Sequence, residues 1–154
     1  MLAKQVCIPF IWGFLALGQG DTQAPENQHP VFAATGKGVQ IYSCQNVSGA
    51  PQWVFQAPEA GLFDSSGTEI GTHGAGPVWK FHDGRSVKGQ VIAKSDAPRA
   101  GDIPWLLLKA EGSGVEYIRR SETHGGTAPA GACAVGSSER VPYSATYTFY
   151  AHKR

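Results

Sequence analysis

Charge is scarce in this chain of 154 residues. Charged side chains make up 16% of it, and 13 Lys and Arg stand against 12 Asp and Glu. No basic run could neutralise a row of phosphates, so nucleic acid binding has no electrostatic support. Long apolar runs are also missing. The most apolar stretch, residues 6–17, falls short of the roughly twenty residues a helix needs to cross a bilayer. Helical periodicity is equally thin, because 20 Gly and 10 Pro interrupt almost every window long enough to hold a helix. Neither glycine cluster reads as Gly-x-Gly-x-x-Gly between a strand and a helix, which leaves a dinucleotide cofactor unsupported. No Gly-x-Ser-x-Gly elbow is present to mark a hydrolase nucleophile.

What is present begins with an export signal. Lys4 precedes the apolar run at 6–17, and Gly18 and Gly20 follow at the spacing of a cleavage site. Residues 1–20 therefore read as a signal peptide, residues 21–30 as a polar spacer and residues 31–154 as a single domain. The alternative is an N-terminal helix or strand packed on the core. Cleavage would leave a soluble, secreted or periplasmic protein of zero formal charge.

Cleavage would also remove Cys7 and leave Cys44 and Cys133, an even pair in an oxidising compartment. They form either a disulfide or two buried thiols, and secretion favours the disulfide. Such a bridge closes a loop of about ninety residues, for about 4–5 kcal/mol on the chain-entropy view. Asn46-Val47-Ser48 is an N-glycosylation sequon, meaningful only in a eukaryotic source.

Strand signals run through the rest of the chain. Val39 to Cys44 alternates, and Gln52-Trp53-Val54-Phe55-Gln56 follows a turn. Val78-Trp79-Lys80-Phe81-His82 ends at Asp83-Gly84, a hairpin dipeptide that should pair it with residues 87–94. Residues 105–108 are continuously apolar, as expected of a strand buried on both faces. Residues 114–120 and 143–150 complete the set. In the last, Tyr143, Ala145, Tyr147 and Phe149 share one face. Seven or eight short strands with Gly/Pro turns predict an all-β fold, an antiparallel β-sandwich or closed β-barrel. Residues 122–138 form the longest stretch without a strand pattern, tethered through Cys133.

Candidate chemistry is sparse. His73 lies in a glycine-rich approach to a strand, His82 ends that strand, and His124 sits in Thr123-His124-Gly125-Gly126. Together they could hold zinc or copper, although none of the spacings is that of a metal motif. Carboxylate pairs such as Asp64 and Glu69 could serve a glycosidase only at the right separation. Trp53, Trp79 and Trp105 each fall in a strand. On one exposed face they would stack sugars, and buried they are core, which the apolar neighbours favour for Trp105. Arg119 and Arg120 are adjacent in a strand and so face opposite ways. One is exposed. The other pairs with an acid or lines a cavity, where it could grip an anion through two hydrogen bonds.

The ordered set Gly38-Val39-Gln40-Ile41-Tyr42-x-Cys44, Gly71-x-His73-x-Ala75-Gly76-Pro77-x-Trp79 and Ile103-Pro104-Trp105-Leu106-Leu107-Leu108, continued by Tyr117-Ile118-x-Arg120-x-x-Thr123-x-Gly125-Gly126 and by Tyr143 to Tyr150, resembles a family of secreted bacterial and fungal proteins. That family is catalogued as a domain of unknown function. The resemblance covers residues 31 to 150 and implies an extracytoplasmic domain with a cysteine pair. Some of its proteins carry a malate dehydrogenase label, to which a chain without a nucleotide fingerprint gives no support.

The functional expectation is a secreted, non-enzymatic binding domain for a glycan, a cell-wall component or a small ligand, with contacts at His73, Trp79 and Arg120. A metal protein or hydrolase-type enzyme centred on His73 is the alternative, and a purely structural surface protein is a third. No cofactor is expected beyond zinc or copper at the histidines.

Overall fold

A computed structural model describes residues 20–154. The expected signal peptide, with Lys4 and Cys7, lies outside the described residues save for Gly20. Eight strands follow one another as β1 (Gln28–Val47), β2 (Ala50–Phe63), β3 (Glu69–Gly74), β4 (Val78–Phe81), β5 (Ser86–Ser95), β6 (Trp105–Glu111), β7 (Tyr117–Gly125) and β8 (Ser138–His152). Each pairs antiparallel with the next, and β8 closes back on β1, so the sheet is a closed barrel. The expected choice between sandwich and barrel resolves to the barrel.

Several strands are much longer than expected. β1 runs for 20 residues, β2 for 14 and β8 for 15. The turns have the chemistry their backbone needs. Ser48 and Gly49 both take positive φ, 51° and 85°, the geometry of a two-residue hairpin turn whose twist matches the flanking strands. Asp83-Gly84 does join β4 to β5, but the turn takes three residues: β4 ends at Phe81, whose nitrogen donates to Arg85 O across His82, Asp83 and Gly84, and Trp79 stands opposite Val87. The strand expected from residue 114 starts at Tyr117, because Gly112, Ser113 and Gly114 all take positive φ in the preceding turn.

The interior follows the period-two alternation. Tyr143, Ala145, Tyr147 and Phe149 of β8 all point inward and are buried. At one end Phe32 stacks on Phe149 at 4.3 Å, and Phe81 meets both rings edge-on. Arg85 covers Phe32 and Phe81 from outside, 4.2 and 4.8 Å from the ring centroids. That end is plugged with apolar contacts.

The segment expected as a polar spacer is built into the barrel. β1 already begins at Gln28, and Thr22 is 5% exposed. Gly20 donates from its backbone nitrogen to Lys94 O, and Arg119 Nε donates to Thr22 O. The segment thus crosses the outer face where Ala93, Leu107 and Arg119 stand in register. Leu107 is buried there, while Leu108 is buried on the inner face. Trp105 departs from expectation: it shares the outer face with Leu107, keeps partial exposure, and has the Arg119 guanidinium 5.0 Å over its ring.

Cys44 and Cys133 are joined in a disulfide. The bridge pins the irregular connection between β7 and β8, which also exchanges backbone hydrogen bonds with Cys44 through Gly136 and Ser137. Asn46 is exposed near the end of β1. Among the described residues no helix is long and apolar enough to cross a membrane.

Candidate functional site

The open end of the barrel differs from the plugged one. A cavity of about 190 Å³ lies there, and His73, Trp79, Arg120, Tyr147 and Gln40 line it together with Leu108. Phe55 and Val91 border it and are each 48% exposed. The three residues expected at the site, His73, Trp79 and Arg120, thus meet in one place.

His73, expected in a glycine-rich approach to a strand, lies within a strand of its own, β3. Residues 69–74 are a strand paired on both sides, with Ala60 and Trp79 flanking His73. Of its two glycines, Gly71 serves close packing. A Cβ on Gly71 would stand 2.2 Å from Lys80 O, so only glycine lets β4 approach. His73 is 5% exposed. Its ring stacks on Trp79 at 4.3 Å with an interplanar angle of 13°, and lies 4.9 Å from Tyr147. Nδ1 is 3.0 Å from Val78 O and donates to it. Burial drives the imidazole pKa from 6.5 down to about 4, against the Val78 hydrogen bond and helped by the Arg120 charge. His73 is therefore neutral at pH 7.

Arg120 and Arg119 face opposite ways, as their adjacency requires. Arg119 lies outside and Arg120 inside. Arg120 Nε and Nη2 donate to Pro104 O at 3.0 and 2.8 Å. Of the two expectations for the inward arginine, the cavity holds: among the described residues no acid meets Arg120. Among the described residues the ion pairs are Arg85–Asp83, Arg99–Asp102 and Arg140–Glu59. Instead Arg120 is hydrogen-bonded to Tyr147, whose hydroxyl is 3.0 Å from that of Tyr143. Burial pushes both phenols above their ordinary pKa, so they are neutral and supply no counter-charge. Burial lowers the arginine pKa as well, but a guanidinium stays protonated.

Gln40 and Tyr147 went unrecognised as site residues in the sequence. Gln40 is 3% exposed and Trp79 is 1% exposed, and Gln40 Nε2 and Trp79 Nε1 have no hydrogen-bond acceptor. An unmet buried donor costs about 1–3 kcal/mol. Both residues line the cavity. Gln40 sits between Val39 and Ile41, whose greater apolarity disguises which face turns inward. Tyr147 carried a signal, the inward stripe of β8, which was legible as core and silent as to site.

The histidine cluster does not form. His82 is exposed beyond β4, and His124 is exposed on β7 with Nδ1 3.3 Å from Arg99 Nη2. Only His73 lies inside. Among the described residues no three His, Cys, Asp or Glu stand close enough to hold a metal. The tryptophans do not share a face either: Trp79 is inside, Trp105 outside, and Trp53 pairs with Cys44 farther along β2. Asp64, one of the carboxylates weighed for glycosidase chemistry, is occupied by its own turn, accepting from Ser66 and Thr68.

The cavity lining contains no Asp, Glu, Ser, Thr or Cys. His73 has there neither a carboxylate to orient it nor a hydroxyl or thiol to activate. The site offers donors, aromatic faces and apolar walls.

Comparison with known proteins finds one family, described as "Protein of unknown function (DUF3455)", matching residues 25–151. No curated protein and no solved structure matches.

Proposed function

Because the chain belongs to that family, whose description leaves the role of the cavity open, we propose that the barrel is an extracytoplasmic binding protein that takes one small ligand between His73, Trp79, Arg120 and Tyr147. The observation that carries this reading is the cavity of about 190 Å³, which combines a buried cation and two unmet donors with apolar walls. Pockets of this composition, mostly apolar with a few convergent polar groups, are the usual form of small-molecule sites. An eight-stranded barrel has an interior just wide enough to hold one small ligand. The fold alone assigns no function; the side chains at the open end are what support this reading.

Export is part of the proposal. The Cys44–Cys133 disulfide is compatible with an oxidising compartment, as are the leader features of residues 1–20. A sugar-stacking platform gains nothing from the tryptophans, since Trp79 is inside and Trp105 outside. Chemistry centred on His73 would need a carboxylate, hydroxyl or thiol that this cavity's lining does not supply.

Ligand-detected NMR on a library of single-ring fragments tests the reading, with Leu108→Trp as a cavity-filled control. Fragments should bind the native protein and lose their signal with the filled variant. If every fragment behaves alike with the two proteins, the cavity is not a binding site.

A further inference from the structure

Resting on that reading, we infer that the ligand carries a carboxylate on a compact, single-ring apolar body, and that Arg120 grips the carboxylate with Gln40 and Trp79 as additional donors. A guanidinium presents five N–H groups in a rigid fork. Arg120 spends its Nε/Nη2 edge on Pro104 O. The Nη1/Nη2 edge remains, apart from the contact with Tyr147, and such an edge matches a carboxylate through two parallel hydrogen bonds. Taking a cation out of water is costly unless an opposite charge meets it. None of the protein's acids does so among the described residues, and the lining contains no Asp or Glu.

The neighbouring groups point the same way. Gln40 Nε2 and Trp79 Nε1 are donors with no acceptor, whereas His73, with its Nδ1–H given to Val78 O, leaves Nε2 as an acceptor. Donors outnumber acceptors on this wall, so the complementary ligand is acceptor-rich and anionic. Its size follows from the volume. A protein cavity of about 150 Å³ takes a benzene ring, and about 190 Å³ leaves room for a carboxylate beside it. Pro58, Pro77, Leu106 and Leu108 supply apolar walls for the ring.

The test is calorimetric titration at pH 7 with four probes of one shape: benzoate, benzenesulfonate, benzamide and benzyl alcohol. Benzoate should bind about ten- to a hundredfold tighter than the two neutral probes, the yield of charge-assisted hydrogen bonds. Arg120→Gln should abolish that preference, with benzoate losing more affinity than benzyl alcohol, and Arg120→Lys should keep part of it. Gln40→Leu should weaken benzoate alone. Circular dichroism establishes that each variant folds. Should Arg120→Gln fail to fold, the native probe series and Arg120→Lys decide the matter.

Equal binding of benzoate, benzamide and benzyl alcohol overturns the carboxylate inference and leaves the binding-cavity reading standing. Tighter binding of benzenesulfonate than of benzoate overturns the choice of carboxylate. Failure of all four probes, together with a silent fragment screen, removes both proposals.

Discussion

Lowering the pH from 7 to 4 should strip folding stability from this protein through a single buried imidazole. In the unfolded chain His73 takes up a proton near pH 6.5, whereas in the barrel it resists protonation down to about pH 4. Between those values the unfolded state binds one proton more than the folded state, so stability falls as the pH falls. The contribution is complete above pH 6.5, shrinks across the window, and is gone below about pH 4. At about 1.4 kcal/mol for each pH unit, that interval amounts to about 3 kcal/mol. This is a large share of the roughly 5–15 kcal/mol of a typical domain. The cause is burial, since the ring lies between Trp79 and Tyr147 and faces the Arg120 charge. Urea unfolding followed by tryptophan fluorescence at pH 7, 6, 5 and 4 measures it, with His73→Gln as reference. The carboxylates of Glu59, Asp64, Asp83 and Asp102, all held below their ordinary range by hydrogen bonds, titrate in both proteins and cancel in the comparison. The native protein should lose about 3 kcal/mol more than the variant between pH 6.5 and 4. Parallel stability curves for the two proteins would refute the reasoning, as would an NMR titration showing His73 protonated at pH 5.5.

Replacing Cys44 and Cys133 by serine frees a loop spanning 89 positions and should cost about 4–5 kcal/mol on the chain-entropy estimate; urea midpoints of the variant and of the oxidised native protein measure it. Phe149→Ala should cost about 3–5 kcal/mol, because the ring is fully buried and touches Phe32, Phe81 and Trp79; thermal unfolding would show the loss. Gly126→Ala should destabilise the open end by about 1–3 kcal/mol. Its φ is 86°, and an added Cβ would meet Tyr143 Cβ at 2.8 Å and Gln40 Cγ at 3.1 Å. Benzoate affinity should fall with it if Gln40 is displaced, and unchanged affinity would separate that glycine from the site.

Much of this barrel was legible in the residues because short-range rules govern it. Period-two alternation marked β8 and the residues that share each of its faces, and Asp83-Gly84 marked a hairpin. The secretory reading turned an odd set of cysteines into the pair that forms a disulfide. The adjacency of Arg119 and Arg120 already required opposite faces. All but the cysteine pair, which was argued from compartment and count, rest on backbone geometry over a few residues, which tertiary structure does not alter.

The remainder depended on closure. Whether eight strands stack as a sandwich or close as a barrel is decided by β1 pairing with β8, as in Thr35 opposite Thr146, a contact between distant parts of the chain. Alternation separates two faces of a strand without saying which is inside. Apolarity would have turned Val39 and Ile41 inward, yet the barrel buries Gln40 and Tyr42. Only closure brought His73 and Arg120 to one cavity and left His82 and His124 at the surface. The sequence by itself determined strands, turns and a cysteine pair, whereas the ring of eight strands decided which polar side chains had to give up water and so where a site could form.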